Sequence, residues 1–276
     1  MPKSKPSFKT LGKVSASLLA KLQSEGKTIF KIEDAIRISG KDYFATGDFL
    51  SELVKRNILA RVKSGKYLIL QAGAENTQLK NWPVIARELA LPHPYFISHY
   101  SALRLHGMTT HPLFDVCVTT PHRLTDKKVS GFNYRFIYCK KEHFWGDEIR
   151  WVTKQEKVQV SDMERTVLDG LDRPDLCGGI LEIVRGIWVK KADLNSQKMM
   201  KYAKRFRTKA ALKRLGLILE TLKIKEDLAG ELFKMLEDSE DYILLDPTSS
   251  KEGKYLKRWH VFLNSNLEEL KEGIWA

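Results

Sequence analysis

Cysteine is scarce in this chain of 276 residues: only Cys117, Cys139 and Cys177, far apart and odd in number. No Cys-x-x-Cys pair exists, which excludes the common structural zinc motifs and a disulfide framework. Buried, reduced thiols of a cytoplasmic protein are the expectation. Apolar runs are short, none approaching the roughly 20 residues that span a bilayer, so no membrane association is expected. The opening MPKSKPSFKTLGK is basic and lacks the apolar stretch of a secretory signal. There is no GxxxxGK[ST], no GxGxxG and no GxSxG, so the familiar phosphate loops and the serine-hydrolase elbow are missing. Gly178-Gly179 stands alone as a close-packing point. Internal repeats and low-complexity tracts are also absent.

Acid is in deficit: 47 Lys and Arg oppose 34 Asp and Glu, a net charge of +13. The excess is uneven. Residues 1–70 hold 14 basic and 6 acidic side chains, a local +8, whereas the other 206 residues contribute +5. A basic head on a chain long enough for two domains points to a polyanionic partner. With 43% hydrophobic residues the chain can bury a sizeable core.

The head has a readable layout. Val14, Leu18, Leu19 and Leu22 recur at helical spacing, and a second helix runs from about Ile32 to Ile38. A third spans about Thr46 to Arg56, with Leu50, Leu53 and Val54 on its inner stripe. The stretch KRNILARVKSGKYLIL then reads as a hairpin around Ser64-Gly65. Three short helices and a basic hairpin are the layout of a winged helix-turn-helix, whose third helix enters the DNA major groove while the wing follows the backbone. The expected DNA contacts are Lys41, Tyr43, Thr46, Ser51, Lys55, Arg56, Arg61, Lys63 and Lys66. The basic side chains among them neutralise phosphates. Asp48 and Glu52 on the third helix oppose phosphates and shift base reading towards its amino-terminal end.

A polar linker at residues 71–79 separates this domain, 1–72, from a larger one, 80–276. There, a helix opens at Asn81-Trp82-Pro83, and strands are expected around 95–97, 114–120, 132–138, 148–153 and 158–160. Ser161-Asp162-Met163-Glu164 reads as a capping box for a helix, followed by helices at 176–189, 195–206, 208–222 and 226–237. Strands at 242–245 and 257–263, the latter with Trp259, Val261 and Leu263 on one face, close the chain. Without βαβ alternation the class is α+β.

Chemistry is sparsely signalled. His99, His106, His111 and His122 cluster in sequence but match no metal pattern, so neither a metal nor a cofactor is expected. Asp162, Arg165, Asp169, Asp172, Arg173 and Asp175 resemble a catalytic constellation, yet Arg165 and Asp169 stand one helical turn apart and read first as a structural charge network. No catalytic residue is assigned. A nuclease delivered by a DNA-binding head, with Asp115 as its strand acid, is the alternative enzyme reading; a standalone regulator with a sensory carboxy-terminal domain is another. From Lys198 to Arg214 eight bases occur without an acid, and Lys198, Lys201, Lys204, Arg205, Arg207 and Lys209 form a possible second nucleic-acid patch.

The segments LSELVKRNILARVKSGKYLI, FISHYSALRLHGMTTH, VSDMERTVLDGLDRPDLCGGILEI, RLGLILE and YILLDP…KRWHVFLN, in that order, resemble the AbiEi family of antitoxins and predicted transcriptional regulators. The likeness runs from about Ser15 to Asn264, and Ser161–Ile180 is its most specific part. The resemblance implies a bacterial antitoxin of the abortive-infection type. Its winged helix would bind inverted repeats in its own promoter and repress the operon. Its carboxy-terminal domain would counter a nucleotidyltransferase-like toxin without a stable complex, a type IV arrangement.

Overall fold

The computed structural model describes residues 11–70, 81–206 and 208–265. The chain divides into two compact units, one of Met1–Leu89 with Lys128–Gly131, the other of Ala90–Lys127 with Phe132–Ala276. The expected boundary at residues 71–79 lies outside the described residues. The following helix, expected in the larger domain, instead belongs up to Leu89 with the smaller unit.

The smaller unit runs α1 (Lys13–Ser24), β1 (Ile29–Lys31), α2 (Ile32–Ser39), α3 (Tyr43–Lys55), β2 (Leu59–Lys63), β3 (Lys66–Ile69) and α4 (Trp82–Ala90). Strands β1, β3 and β2 form an antiparallel sheet in that order. Leu18 and Leu22 of α1, Ile32 and Ala35 of α2 and Leu50 and Leu53 of α3 meet Phe30, Leu59, Tyr67 and Ile69 in one core. Each such aliphatic side chain contributes roughly 1.5–3 kcal/mol through burial. Helix α3 begins earlier than its apolar pattern suggests because Asp42 caps it, accepting from the Ala45 amide at 2.8 Å. The hairpin reverses at Ser64-Gly65, where Gly65 takes the left-handed φ of 68° that a side chain resists.

A short strand, β6 (Lys127–Val129), is divided in the chain: Lys127 belongs to the larger unit, Lys128 and Val129 to the smaller. The larger unit contains β4 (Phe96–Ile97), α5 (His99–Leu105), β5 (Asp115–Thr120), β7 (Phe132–Tyr138), β8 (Asp147–Trp151) and β9 (Lys157–Ser161). Its strands are neighbours in the order β7-β5-β4-β9-β8. Strand β5 pairs parallel to β7 and antiparallel to β4. The helices α6 (Met163–Asp172), α7 (Ile180–Val189), α8 (Ser196–Arg205), α9 (Lys209–Leu222) and α10 (Glu226–Leu236) follow, and a small sheet of β10 (Ile243–Leu244), β12 (Val261–Leu263) and β11 (Lys254–Leu256) closes the unit. The class is α+β.

Two local expectations change. The cap of α6 is Asp162, which accepts from the Arg165 amide at 2.9 Å. Ser161 Oγ instead meets Thr166 Oγ1 at 2.7 Å. Trp259 sits in a turn before β12 rather than on a strand, its ring buried against the helices.

Candidate functional site

In the smaller unit the outward face of α3 carries Tyr43, Phe44, Asp48, Ser51, Glu52 and Lys55, all exposed. Phe44 is 83% exposed and Tyr43 58%, their rings edge to face at 5.9 Å. Two large aromatics in water at the head of a capped helix make no contribution to the core. Phe44 went unnoticed among the candidate contacts, although its position, two residues from Thr46 and six from Leu50, places it opposite the buried stripe of a helix with about 3.6 residues per turn. Lys41, just before the helix, is exposed as well.

Three expected contacts are corrected. Thr46 is fully buried, on the core side of α3. Lys63 and Lys66 bend back onto α4: the Lys63 ammonium donates to the Glu88 carbonyl, and Lys66 pairs with the Glu88 carboxylate. The Glu88 side chain is 8% exposed and that of Lys66 22%. Burial, the largest influence on Glu88, pushes its carboxyl up, but Lys66 and Arg87 outweigh it and hold the group below the usual range. Burial, reinforced by the neighbouring Lys66, lowers the Lys63 ammonium. Of the expected wing contacts, Arg61 is exposed, Lys55 at the end of α3 is exposed, and Arg56 is partly buried.

In the larger unit the basic run divides. Lys198 turns to the amino-terminal end of α6, 2.8 Å from Glu164 and 3.3 Å from Asp162, whose second oxygen also accepts from Tyr202 at 2.6 Å. Lys213 and Arg214 lie on the enclosed α9 and satisfy backbone carbonyls: Lys213 those of Ser239 and Asp241, Arg214 those of Leu171 and Leu244. Lys201, Lys204, Arg205 and Lys209 are exposed. Arg207 lies outside the described residues.

The acid–arginine constellation also separates into parts. Arg173 and Asp175 form an exposed pair at 2.6 Å. Arg165 is buried: its Nε donates to Asp169 Oδ1 at 2.8 Å, its Nη1 to the carbonyls of His143 and Trp145, and its guanidinium lies 4.4 Å from the Trp145 ring centre. Burial raises the Asp169 carboxyl against the pull of Arg165. Asp169 Oδ2 and Trp145 Nε1 are shielded from solvent and have no partner among the described residues.

Trp145, Arg165, Asp169 and Arg173, but not Asp175, line a cleft of about 720 Å³, together with His99, Thr119, Tyr138, Lys140, Asp172, Phe206 and Lys209. His99 opens α5 with a left-handed φ of 51°, a conformation that non-glycine residues adopt at a cost. Burial, aided by Arg173 and Arg165, pushes the His99 imidazole down to about 3, so it is neutral. Thr119 donates to Ser98 Oγ at 2.8 Å, and Ser98 Oγ lies 2.9 Å from His99 Nδ1. Ser98 Oγ can donate to Nδ1 or accept from it, so the contact fits either neutral tautomer.

The other histidines have structural places. His106 donates from Nε2 to the Ser161 carbonyl at 2.7 Å and accepts from Arg150 at 3.0 Å, while His93 and His122 lie ring to ring at 4.3 Å. His111 stands 3.9 Å from Glu182. Among the described residues no group of three or more His, Cys, Asp or Glu is arranged to hold a metal ion. Asp115 is held by Asn133 at 2.8 Å and Arg135 at 3.6 Å. No described helix is long and apolar enough to cross a membrane.

No protein-family model matches the sequence, and no curated protein matches it. The fold is similar to the crystal structure of RV2827C protein from Mycobacterium tuberculosis, with a TM-score of 0.69, 14% identity, and coverage of 98% of this chain and 97% of that one. At that identity the likeness concerns the fold alone.

Proposed function

We propose that the protein is a DNA-binding transcriptional repressor that also acts as the antitoxin of a type IV, abortive-infection toxin–antitoxin system. The smaller unit is a winged helix-turn-helix: α2 and α3 form the two-helix motif, and β2–β3 is the wing. The observation that carries this reading is the aromatic pair at the head of α3. A recognition helix contacts base edges with its amino-terminal residues, and a phenyl ring suits the thymine methyl group. Tyr43 and Phe44 occupy that end, exposed, with Lys41 beside them for a phosphate. Arg61 supplies the outward charge of the wing and Lys55 that of the helix end. The antitoxin part rests on the resemblance to AbiEi proteins, and its partner is a nucleotidyltransferase-like toxin that the larger unit counters without a stable complex.

Gel-shift titration of the protein's own upstream DNA at two salt concentrations tests the first part. The Lys41→Ala, Phe44→Ala double variant is expected to lose at least about 5-fold in affinity, from the 1–3 kcal/mol typical of a good base contact, with its melting temperature unchanged. Wild-type affinity in a folded double variant refutes the recognition-helix assignment. Co-expression with the neighbouring toxin gene tests the second part: growth rescue is expected, and toxicity that persists removes the antitoxin role while leaving the repressor intact.

A further inference from the structure

We infer that the cleft of the larger unit is a binding site for a free nucleoside phosphate, with the base held inside and the phosphates at the rim. The inference concerns only this unit and is independent of DNA binding by the other.

Three observations converge. The first is the pair of orphaned atoms. Asp169 Oδ2 and Trp145 Nε1 are enclosed and partnerless among the described residues, and a polar atom left in that condition costs about 1–3 kcal/mol. One is an acceptor and the other a donor, and both belong to the same lining. Both atoms are closed even to a water molecule in this conformation, so the heteroatom edge of a nucleobase, with an exocyclic amine beside a ring nitrogen or carbonyl, pairs with them only once the side chains around them shift. The neutral His99 adds a buried imidazole to the same lining.

The second observation is the wall. Tyr138 and Phe206 line the same cleft, and Tyr138 is 48% exposed with Arg123 over its ring at 4.7 Å. Base-on-aromatic stacking contributes about 1–3 kcal/mol. The third is the charge at the rim. Lys140 and Lys209 are exposed, come from separate elements and line this one opening. The Lys140 ammonium stands 3.8 Å from Glu142, itself exposed, a looser pair than that of Lys66 with the buried Glu88. The volume, about 720 Å³, falls within the ~300–1,000 Å³ of small-ligand sites. The structure leaves no room for an ordered water against either orphaned atom, and water would give no role to the ring wall or to converging rim cations.

Isothermal titration calorimetry of the full chain with ATP, GTP, CTP and UTP, and separately with pyrophosphate, tests this. At least one nucleotide is expected to bind with a Kd below about 100 μM, and pyrophosphate at least about 10-fold more weakly, because it lacks the base. Asp169→Asn should weaken the nucleotide at least about 10-fold. Since Asp169 also holds Arg165, the exposed Lys140→Ala, Lys209→Ala double variant provides a second test that leaves the fold alone, and it should weaken binding to a similar degree. The inference is overturned by a Kd above about 1 mM for all four nucleotides, by pyrophosphate binding as tightly as the nucleotide, or by unchanged affinity in the folded rim variant.

Discussion

The anchoring of the β2–β3 hairpin to α4 makes a quantitative prediction. Glu88→Gln removes a charge whose side chain is 8% exposed and leaves Lys66, at 22% exposure, facing a neutral amide. Breaking a fully buried pair costs about 3–5 kcal/mol; the partial exposure of Lys66 reduces this to about 2 kcal/mol. Local opening of the β2–β3 hairpin is the process affected, so hydrogen exchange of residues 59–69 should quicken about 30-fold. Lys66→Met should act similarly, and the double variant should cost less than the sum of the two by about 1–1.5 kcal/mol. The pH dependence has a definite sign. The Glu88 carboxyl sits below its usual range when folded, so its contribution is fully present above the unfolded value of about 4.3 and is lost as pH falls through the folded one. In Glu88→Gln that acid-linked loss should disappear. DNA affinity provides the control: Lys66→Met should change it by less than about 2-fold, whereas Arg61→Ala, which removes an exposed charge, should lower it and flatten its salt dependence. Exchange faster by less than about 3-fold in both single variants, or strictly additive effects, would refute the anchoring argument.

Three further outcomes are expected. Gly216→Ala adds helix propensity worth about 1 kcal/mol, but the new Cβ would overlap the ring of Trp259. That ring is fixed by Glu220 at 2.6 Å and by Phe233, so crowding should prevail by about 2 kcal/mol, and a thermal melt at or above wild type would count against it. Lys213→Met strips the donor from the Ser239 and Asp241 carbonyls and should cost about 3 kcal/mol in urea unfolding. Lys201→Met, exposed in the same run, should stay within about 0.5 kcal/mol, and equal effects would contradict the assignment. Burial pushes the thiols of Cys139 and Cys117 up to about 11 and about 12, and raises that of Cys177 well above the usual thiol range. Native protein at about pH 8 should therefore resist an aromatic disulfide reagent until it is unfolded; rapid labelling of the native chain would show the burial to be wrong.

Helices α1, α2 and α3 and the hairpin were legible because each carries an amphipathic stripe bounded by a cap or glycine, all local signals. Strand β1 was not. Ile29-Phe30-Lys31 is too short to show alternation, and it is a strand only because Ile29 and Phe30 pair with Leu68 and Tyr67 some 40 residues on. The capping box at Ser161 misled by one residue because Ser and Asp are adjacent and equally competent caps; the bond from Ser161 to Thr166, invisible in sequence, decides between them. The cleft was legible only as a list. Arg165 and Asp169 are one helical turn apart, but Trp145, Lys140 and Phe206 reach them through tertiary packing that no spacing encodes.

Two basic stretches hold fewer surface charges than their composition suggests, for one reason, and it bears on how DNA would be engaged. A one-signed run is a solvated face only if its helix or hairpin has a solvent side. Helix α9 is enclosed from Ala211 to Leu219, so Lys213 and Arg214 must end on carbonyls. The β2–β3 hairpin has α4 beside it, so Lys63 and Lys66 end on Glu88. Burying an ammonium is tolerable only with such partners, and each partner found removes one charge from the surface. A duplex held by the smaller unit would therefore meet fewer phosphate-neutralising groups on the wing than composition suggests. Phosphate contacts raise affinity for every sequence alike, whereas contacts at base edges discriminate. Under the proposed DNA-binding role, removing hairpin charge would thus shift the balance from general attraction towards selectivity, carried by Tyr43 and Phe44 at the head of α3. If α3 is the reading helix proposed above, the acids Asp48 and Glu52, further along the same face, strengthen the bias: they would repel phosphates wherever the helix is not seated in the right register, and leave its amino-terminal end to engage DNA.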